Sequence, residues 1–204
     1  MKYGIMGGTF NPIHLGHLMI AEYLSEQMNI DKVIFLPTGN PPHKDHLKAD
    51  AFHRFNMTYL AIKDNPKFII SDIETIRTGF SYTVDTLNEL KSLYRGDFYF
   101  FLGSDTVFLL KLWKNFDQVA KNCKFVASIR PGYEKIDELE NEIAYLKKNY
   151  GAEIYLLKDL PQYEISSTDI RKRIKEGKSI KYLVPDNVIK YIEDEGLYEN
   201  YWIY

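Results

Sequence analysis

Cysteine is almost missing from this chain. Its one residue of that type, Cys123, excludes an internal disulfide and a cysteine-based zinc cluster. Long hydrophobic runs are missing too: nothing approaches the ~18 consecutive apolar residues of a membrane-spanning helix. No signal peptide precedes the first predicted strand, so no membrane association is expected and the cytoplasm is the expected compartment. Charge of one sign is not in excess. A formal net charge of −2 argues against general nucleic-acid binding, which wants a basic face. Any polyanionic ligand must therefore be met by a local cluster of positive groups. Both common phosphate loops, GxxxxGK followed by Ser or Thr, and GxGxxG, are absent as well.

What is present is ordinary for a globular protein: 45% hydrophobic and 26% charged residues in 204, without repeats or low-complexity linkers. That length fits one domain, residues 1–204, with a small helical part at about 165–204. Sixteen tyrosines are expected mostly in the core and on half-buried surface, since they follow no pattern.

The most informative stretch is MKYGIMGGTFNPIHLGHLMIAEYLSEQM. An apolar run, Tyr3 to Met6, ends in Gly7-Gly8, and a polar loop leads to His14-Leu15-Gly16-His17. Leu18, Ala21, Leu24 and Met28 then recur at helical spacing, which predicts a helix from about Gly16 or His17. Each part suits phosphate. The two glycines allow close backbone approach and positive φ. A helix start offers unpaired N–H groups and the positive end of the dipole, and an imidazole there can donate to an anionic oxygen. The plain alternative is two solvated histidines sharing one helix face.

Further along, strand-like runs alternate with helical ones. Lys32–Leu36, Phe68–Ile70, Asp97–Leu102, Phe125–Ile129 and Glu153–Leu157 read as strands. A helix from about Ala51 carries Phe52, Phe55, Tyr59 and Ile62 on its apolar face. Others open at Tyr82-Thr83, near Thr106 and near Phe116. The 135–149 stretch is amphipathic, and two helices follow in ISSTDIRKRIKEG and VPDNVIKYIEDEG. Such alternation, about five strands and six or seven helices, predicts an α/β fold with a doubly wound parallel sheet. Ligands bind such sheets outside the carboxyl ends of the strands. There the chain places GGTFNPIH, PTGNPPHK, GSD and, after a short connection, SSTDIR.

Four features carry candidate chemistry. His14 and His17 are the first. Lys44, after a proline-braced loop, is a point charge for phosphate or an ordinary exposed lysine. In Ser167-Thr168-Asp169-Ile170-Arg171 the hydroxyls either cap a helix or hold phosphate, two compatible uses of the same N–H groups. Arg171 suits two phosphate oxygens at once. Tyr82-Thr83, Asp105 and Trp113 form the fourth: Asp105 could accept from sugar hydroxyls or cap the next helix, and Trp113 could stack on a ligand or fill the core.

GGTFNPIHLGH, LPTGNPPHK, SYTVDTL, FLGSDTVFLLKLWK, ISSTDIR and VPDNVIKYI, in this order and over nearly the whole chain, resemble bacterial-type nicotinate mononucleotide adenylyltransferases of the HxGH nucleotidyltransferase superfamily. The PPHK loop and SSTDIR single out this member; phosphopantetheine adenylyltransferase shares the opening motif but is shorter and has no PPHK loop. The resemblance implies a Rossmann-like fold and transfer of AMP from ATP to nicotinate mononucleotide, with Mg²⁺, giving deamido-NAD and pyrophosphate. It implies that Gly8, Thr9 and Phe10 line the site. His14, His17, Ser167, Thr168 and Arg171 would hold ATP phosphates with Lys44 nearby, and Asp105 would meet a ribose. Tyr82, Thr83 and a stacking Trp113 would hold the nicotinate end, bordered by Thr38, Gly39 and Asn40. No protein side chain is expected to ligate the metal, which phosphate oxygens and water would hold. Asn11 stands where many superfamily members have Asp, and no catalytic role is assigned to it.

Two other readings stay open: the same chemistry on another acceptor such as nicotinamide mononucleotide, and a module that binds ATP without turnover. A homo-oligomer is possible. The aromatic tail, Tyr198, Tyr201, Trp202 and Tyr204, could pack on its own core or on a neighbour.

Overall fold

The computed structural model describes residues 1–39, 49–129, 135–158 and 164–198. Strands β1 (Lys2–Gly8), β2 (Lys32–Pro37), β3 (Phe68–Ile70), β4 (Asp97–Gly103), β5 (Lys124–Ser128) and β6 (Ile154–Leu157) form one sheet in the order β3-β2-β1-β4-β5-β6. Every pairing is parallel. Among the described residues the sheet thus has six strands, one for each of the apolar runs read from the sequence when the first, Tyr3 to Met6, is counted with the other five.

Both faces of the sheet are covered, so its strands are apolar almost throughout and their alternation only sorts residues between two cores. Tyr3, Ile5, Ile34, Leu36, Phe98 and Phe125 face one core, and Val33, Phe35, Tyr99, Phe101 and Val126 face the other. Helices α1 (Leu15–Gln27), α2 (Ala51–Ile62), α3 (Thr83–Leu93), α4 (Ser104–Val107), α5 (Phe116–Asn122), α6 (Ile136–Tyr150), α7 (Ser167–Lys175) and α8 (Asp186–Asp194) supply the cover. The patch predicted at Thr106–Leu112 is split between α4 and a short 3₁₀ turn at Leu110–Leu112.

From β3 at one edge the chain crosses back to β4, which lies on the other side of β1. Strand order therefore reverses between β1 and β4, and the crevice above their carboxyl ends is where a sheet of this kind receives ligands.

Two expectations need correction, and one open choice is decided. Gly7 and Gly8 do not turn the chain: they continue β1, held extended by pairing with Leu36 and Pro37. The left-handed backbone falls instead on Phe10, at φ 47. Helix α2 also presents a different face. Phe52 and Tyr59 are 66% and 49% exposed, while Arg54, Met57, Thr58 and Ile62 are buried. The rotation brings Arg54 inward, onto carbonyl groups that would otherwise be buried without donors. Lastly, Tyr198 packs on its own core, and its hydroxyl donates to Asn11 Oδ1 at 2.6 Å. Tyr201, Trp202 and Tyr204 lie outside the described residues.

Helices α7 and α8 are tied to the sheet by Ile170, Val188 and Ile192, which share a core with Met57 and Ile62 of α2. Asn187 adds a bond to the Leu60 carbonyl at 2.6 Å, and Asn56 donates to the Tyr191 hydroxyl at 3.1 Å. This packing holds the start of α7 over the carboxyl end of β1.

Candidate active site

The loop from Thr9 to His14 leaves β1 at the reversal of strand order. Phe10 is buried, so it offers the site its backbone rather than its ring. That ring meets His17 edge-on, with centroids 5.1 Å apart. A bulky residue at positive φ costs of order 1–3 kcal/mol and persists only where its surroundings demand it. Here the surroundings are the two histidines and the loop beneath them.

His14 precedes α1 as its N-cap residue, and His17 lies in the first turn. Their rings stack with centroids 3.6 Å apart. Gly16 makes this stacking feasible, since a Cβ there would sit 3.1 Å from His14 Nδ1. The His14 backbone N–H donates to His17 Nδ1 at 3.2 Å. With Nδ1 accepting, the neutral His17 ring carries its proton on Nε2, which is then a fixed donor. Burial pushes the His14 pKa down to about 4. Burial, with the neighbouring His14, holds His17 well below its ordinary 6.5. At neutral pH both imidazoles are therefore uncharged N–H donors.

This has a consequence for stability. Between about pH 6.5 and 4 the unfolded chain binds protons that the folded His14 refuses, so stability falls as the pH drops through that window. We expect the urea midpoint to fall less between pH 7.5 and 5 in a His14→Gln protein than in the wild type. Equal falls in the two proteins would mean that His14 is not held neutral.

Helix α7 docks on the same loop. Its N-cap is Ser166, whose hydroxyl accepts from the Asp169 N–H at 3.1 Å. Ser167 and Thr168 are thus not the capping residues. Ser167 donates to the Pro12 carbonyl at 2.8 Å, and Arg171 donates to the Asn11 carbonyl at 2.7 Å and to Thr168 Oγ1 at 3.2 Å. A positive group and two hydroxyls are brought beside the histidine loop from a segment about 155 residues away in sequence.

On the other side of β1, the Thr38 N–H donates to the Gly8 carbonyl at 2.9 Å, so the end of β2 is level with the end of β1. Asn40 and Lys44 lie outside the described residues. Asp105 is exposed just past the end of β4, and the N-cap of α4 is Gly103, so Asp105 does not serve as that cap. Tyr82 is the N-cap of α3 and Thr83 its first residue, with no side chain capping the helix. Lys114 Nζ lies over the Tyr82 ring, 4.1 Å from its centroid, and pairs with Asp85 at 3.6 Å. Trp113 is half-buried, edge-on to Phe100 with centroids 5.5 Å apart, so it joins the core along one side.

One residue of the site is not anticipated by the sequence motifs. Arg54 is fully buried and donates to the carbonyls of Thr9 at 2.9 Å, Thr38 at 2.6 Å, Gly39 at 3.0 Å and Ala49 at 3.3 Å. A signal existed: Arg54, Met57, Thr58 and Ile62 stand at helical spacing, so an arginine occupies the same stripe as two apolar residues.

A profile of the family described as cytidylyltransferase-like matches residues 5–173. A protein of Thermoanaerobacter sp. (strain X514), named "Probable nicotinate-nucleotide adenylyltransferase", is 46% identical over 98% of this chain and 95% of its own. One of the same name from Moorella thermoacetica is 44% identical over 97% and 91%. Among solved structures, Plasmodium falciparum nicotinic acid mononucleotide adenylyltransferase complexed with NaAD superposes with a TM-score of 0.76 at 23% identity, covering 97% of each chain. The same protein complexed with APC gives 0.75. At that identity the likeness establishes the fold.

Proposed function

Because the chain belongs to the nicotinate-nucleotide adenylyltransferases, within the cytidylyltransferase-like family, we propose that its reversal-point crevice transfers AMP from ATP to nicotinate mononucleotide. The observation that carries this reading is the convergence of His14, His17, Ser167 and Arg171 on one loop at the end of β1.

The acceptor's 5′-phosphate is already ionised near pH 7, so the protein need not generate the nucleophile. One phosphate oxygen attacks the α-phosphorus of ATP, the bond from that phosphorus to the bridging oxygen breaks, and pyrophosphate leaves with the electron pair. Two anions must be aligned and the charge on the α-phosphoryl oxygens and leaving group met. His17 Nε2–H is a fixed neutral donor for that charge, joined by His14. Arg171 supplies a permanent positive charge, with Ser167 and Thr168 beside it and Lys44 completing the phosphate set. Asp105 accepts from ribose hydroxyls. The α3 start at Tyr82-Thr83, with Trp113 and the Thr38–Asn40 loop, takes the pyridine end.

No three His, Cys, Asp or Glu side chains cluster as a metal cage among the described residues. A Mg²⁺ arriving on ATP would be held by phosphate oxygens and water beside the donors of this crevice and would neutralise phosphate charge there. No described helix is long and apolar enough to cross a membrane.

The direct test is product identity. Incubation with ATP, Mg²⁺ and nicotinate mononucleotide yields a dinucleotide of the mass of deamido-NAD, in amounts equal to the pyrophosphate released. Consumption of ATP without that product would refute the reading.

Arg171 and Lys44 should respond differently to exchange. Arg171→Lys keeps the charge but loses the fork that spans Asn11 and Thr168, so a clear defect in kcat/KM for ATP is expected. Lys44→Arg should be milder, because lysine acts as a point charge. Steady-state kinetics in the opposite order would exchange these roles.

A further inference from the structure

Gly39, at the end of the loop that follows β2, is gripped from both sides by buried charged residues. Its carbonyl accepts from Arg54 Nη2 at 3.0 Å, and on its other side its backbone lies against Glu74, where it offsets part of the rise that burial imposes on the Glu74 carboxyl pKa. No other residue fits at this position: a Cβ on Gly39 would collide with the backbone carbonyl of Glu74. Arg54 is fully buried and Glu74 is 7% exposed. Each spends its side chain on backbone or hydroxyl groups.

The two residues reach different parts of the crevice. Arg54 Nη1 is shared between the carbonyls of Thr9, past the end of β1, and Thr38, past the end of β2. One guanidinium therefore joins the loop on the ATP side to the loop on the acceptor side. Glu74 Oε1 accepts from the Thr86 hydroxyl at 2.8 Å, and Thr86 in turn accepts from Arg77 at 3.0 Å. Thr86 lies on α3, one turn beyond Tyr82-Thr83. Through Gly39, the chain Arg54–Gly39–Glu74–Thr86 thus ties the loops after β1 and β2 to the helix that begins at the pyridine end.

Burying two opposite charges to hold backbone is costly, and apolar residues would pack such a place at least as stably. Their planar and forked donors and acceptors, however, specify one geometry where apolar contacts would allow several. We infer that Arg54 and Glu74 are positioning residues that set the distance and angle between the ATP and acceptor halves of the crevice, without touching either substrate. This rests on the reading that the two substrates meet there.

The test separates alignment from binding and from folding. Wild type, Arg54→Lys, Thr86→Val, Glu74→Leu and Glu74→Gln proteins are assayed well below each one's Tm. A non-hydrolysable ATP analogue and nicotinate mononucleotide are each titrated alone by calorimetry. Lysine cannot span the three loop carbonyls, so Arg54→Lys should lose roughly 10- to 100-fold in kcat, the scale of a small misplacement of reacting groups, while each Kd stays within about threefold. Thr86→Val, which keeps the side-chain shape, should raise the acceptor KM several-fold and leave the ATP KM within about twofold. Glu74→Gln should recover most of what Glu74→Leu loses, because an amide oxygen still accepts.

Normal kcat in folded Arg54→Lys, or loss of ligand binding in step with kcat, would overturn the inference. So would unchanged acceptor kinetics in Thr86→Val, an outcome that decides the matter even if Arg54→Lys does not fold. A wild-type protein that forms no dinucleotide would instead refute the proposed function, a separate outcome.

Discussion

Adenylyl transfer by a His17→Asn protein is expected to fall about 10²-fold or more, the scale of losing one transition-state donor. In the proposed function the donor would be one particular ring nitrogen. His17 Nδ1 is occupied by the His14 N–H at 3.2 Å, so only Nε2–H remains to meet a phosphoryl oxygen. Asparagine is shorter and its amide cannot occupy both positions. The ring is half-buried, between His14 and the edge of Phe10, and forms no part of the sheet. Its replacement should therefore leave the fold intact, with a Tm close to wild type. The loss should appear in kcat rather than in the KM for ATP, because the donor acts most strongly on charge that develops during transfer. Near-normal turnover by this variant would reduce His17 to a helix-start residue.

Acceptor choice is the second large effect. Nicotinate and nicotinamide differ by a carboxylate against an amide, and a carboxylate only accepts hydrogen bonds. Helix α3 begins at Thr83 without a side-chain cap, and in the proposed function its first turn would present the favourable end of the dipole to the carboxylate. Lys114, over the Tyr82 ring, is paired with Asp85 at 3.6 Å, so together they add no net charge at this corner. An amide there would set its NH₂ against donors, and unpaired buried polar groups cost ~1–3 kcal/mol each. Two such groups give roughly 10²-fold or greater discrimination in kcat/KM. Trp113→Ala should weaken both acceptors and leave ATP binding nearly unchanged. Equal kcat/KM for the two mononucleotides would remove Tyr82-Thr83 as the carboxylate site.

Much of the architecture was legible because it rests on local physics. Strands buried on both faces read as short apolar runs, and the start of α7 was marked by the serines and threonine before it. Where the sequence offered several equivalent signals, the choice was not legible. Ser166, Ser167 and Thr168 can all cap, and only the docking of Ser167 on the Pro12 carbonyl decides that Ser166 does. Gly7-Gly8 advertised a turn that strand pairing overrode, and the turn moved to Phe10. Arg54 was hidden for a different reason. Phe52, Phe55 and Tyr59 outlined a competing apolar face, and the carbonyls that draw Arg54 inward come from loops distant in sequence. Tyr198 was undecided for the same reason, since its partner Asn11 lies 187 residues away.

Release of pyrophosphate from ATP and Mg²⁺, measured with no acceptor, with nicotinate mononucleotide and with nicotinamide mononucleotide, tests the central claim most directly. Rapid release is expected with nicotinate mononucleotide, at least roughly 10²-fold less kcat/KM with the amide, and almost none without an acceptor. ATP binding with no release in any arm would contradict the claim, leaving a nucleotide-binding crevice in place of a transferase.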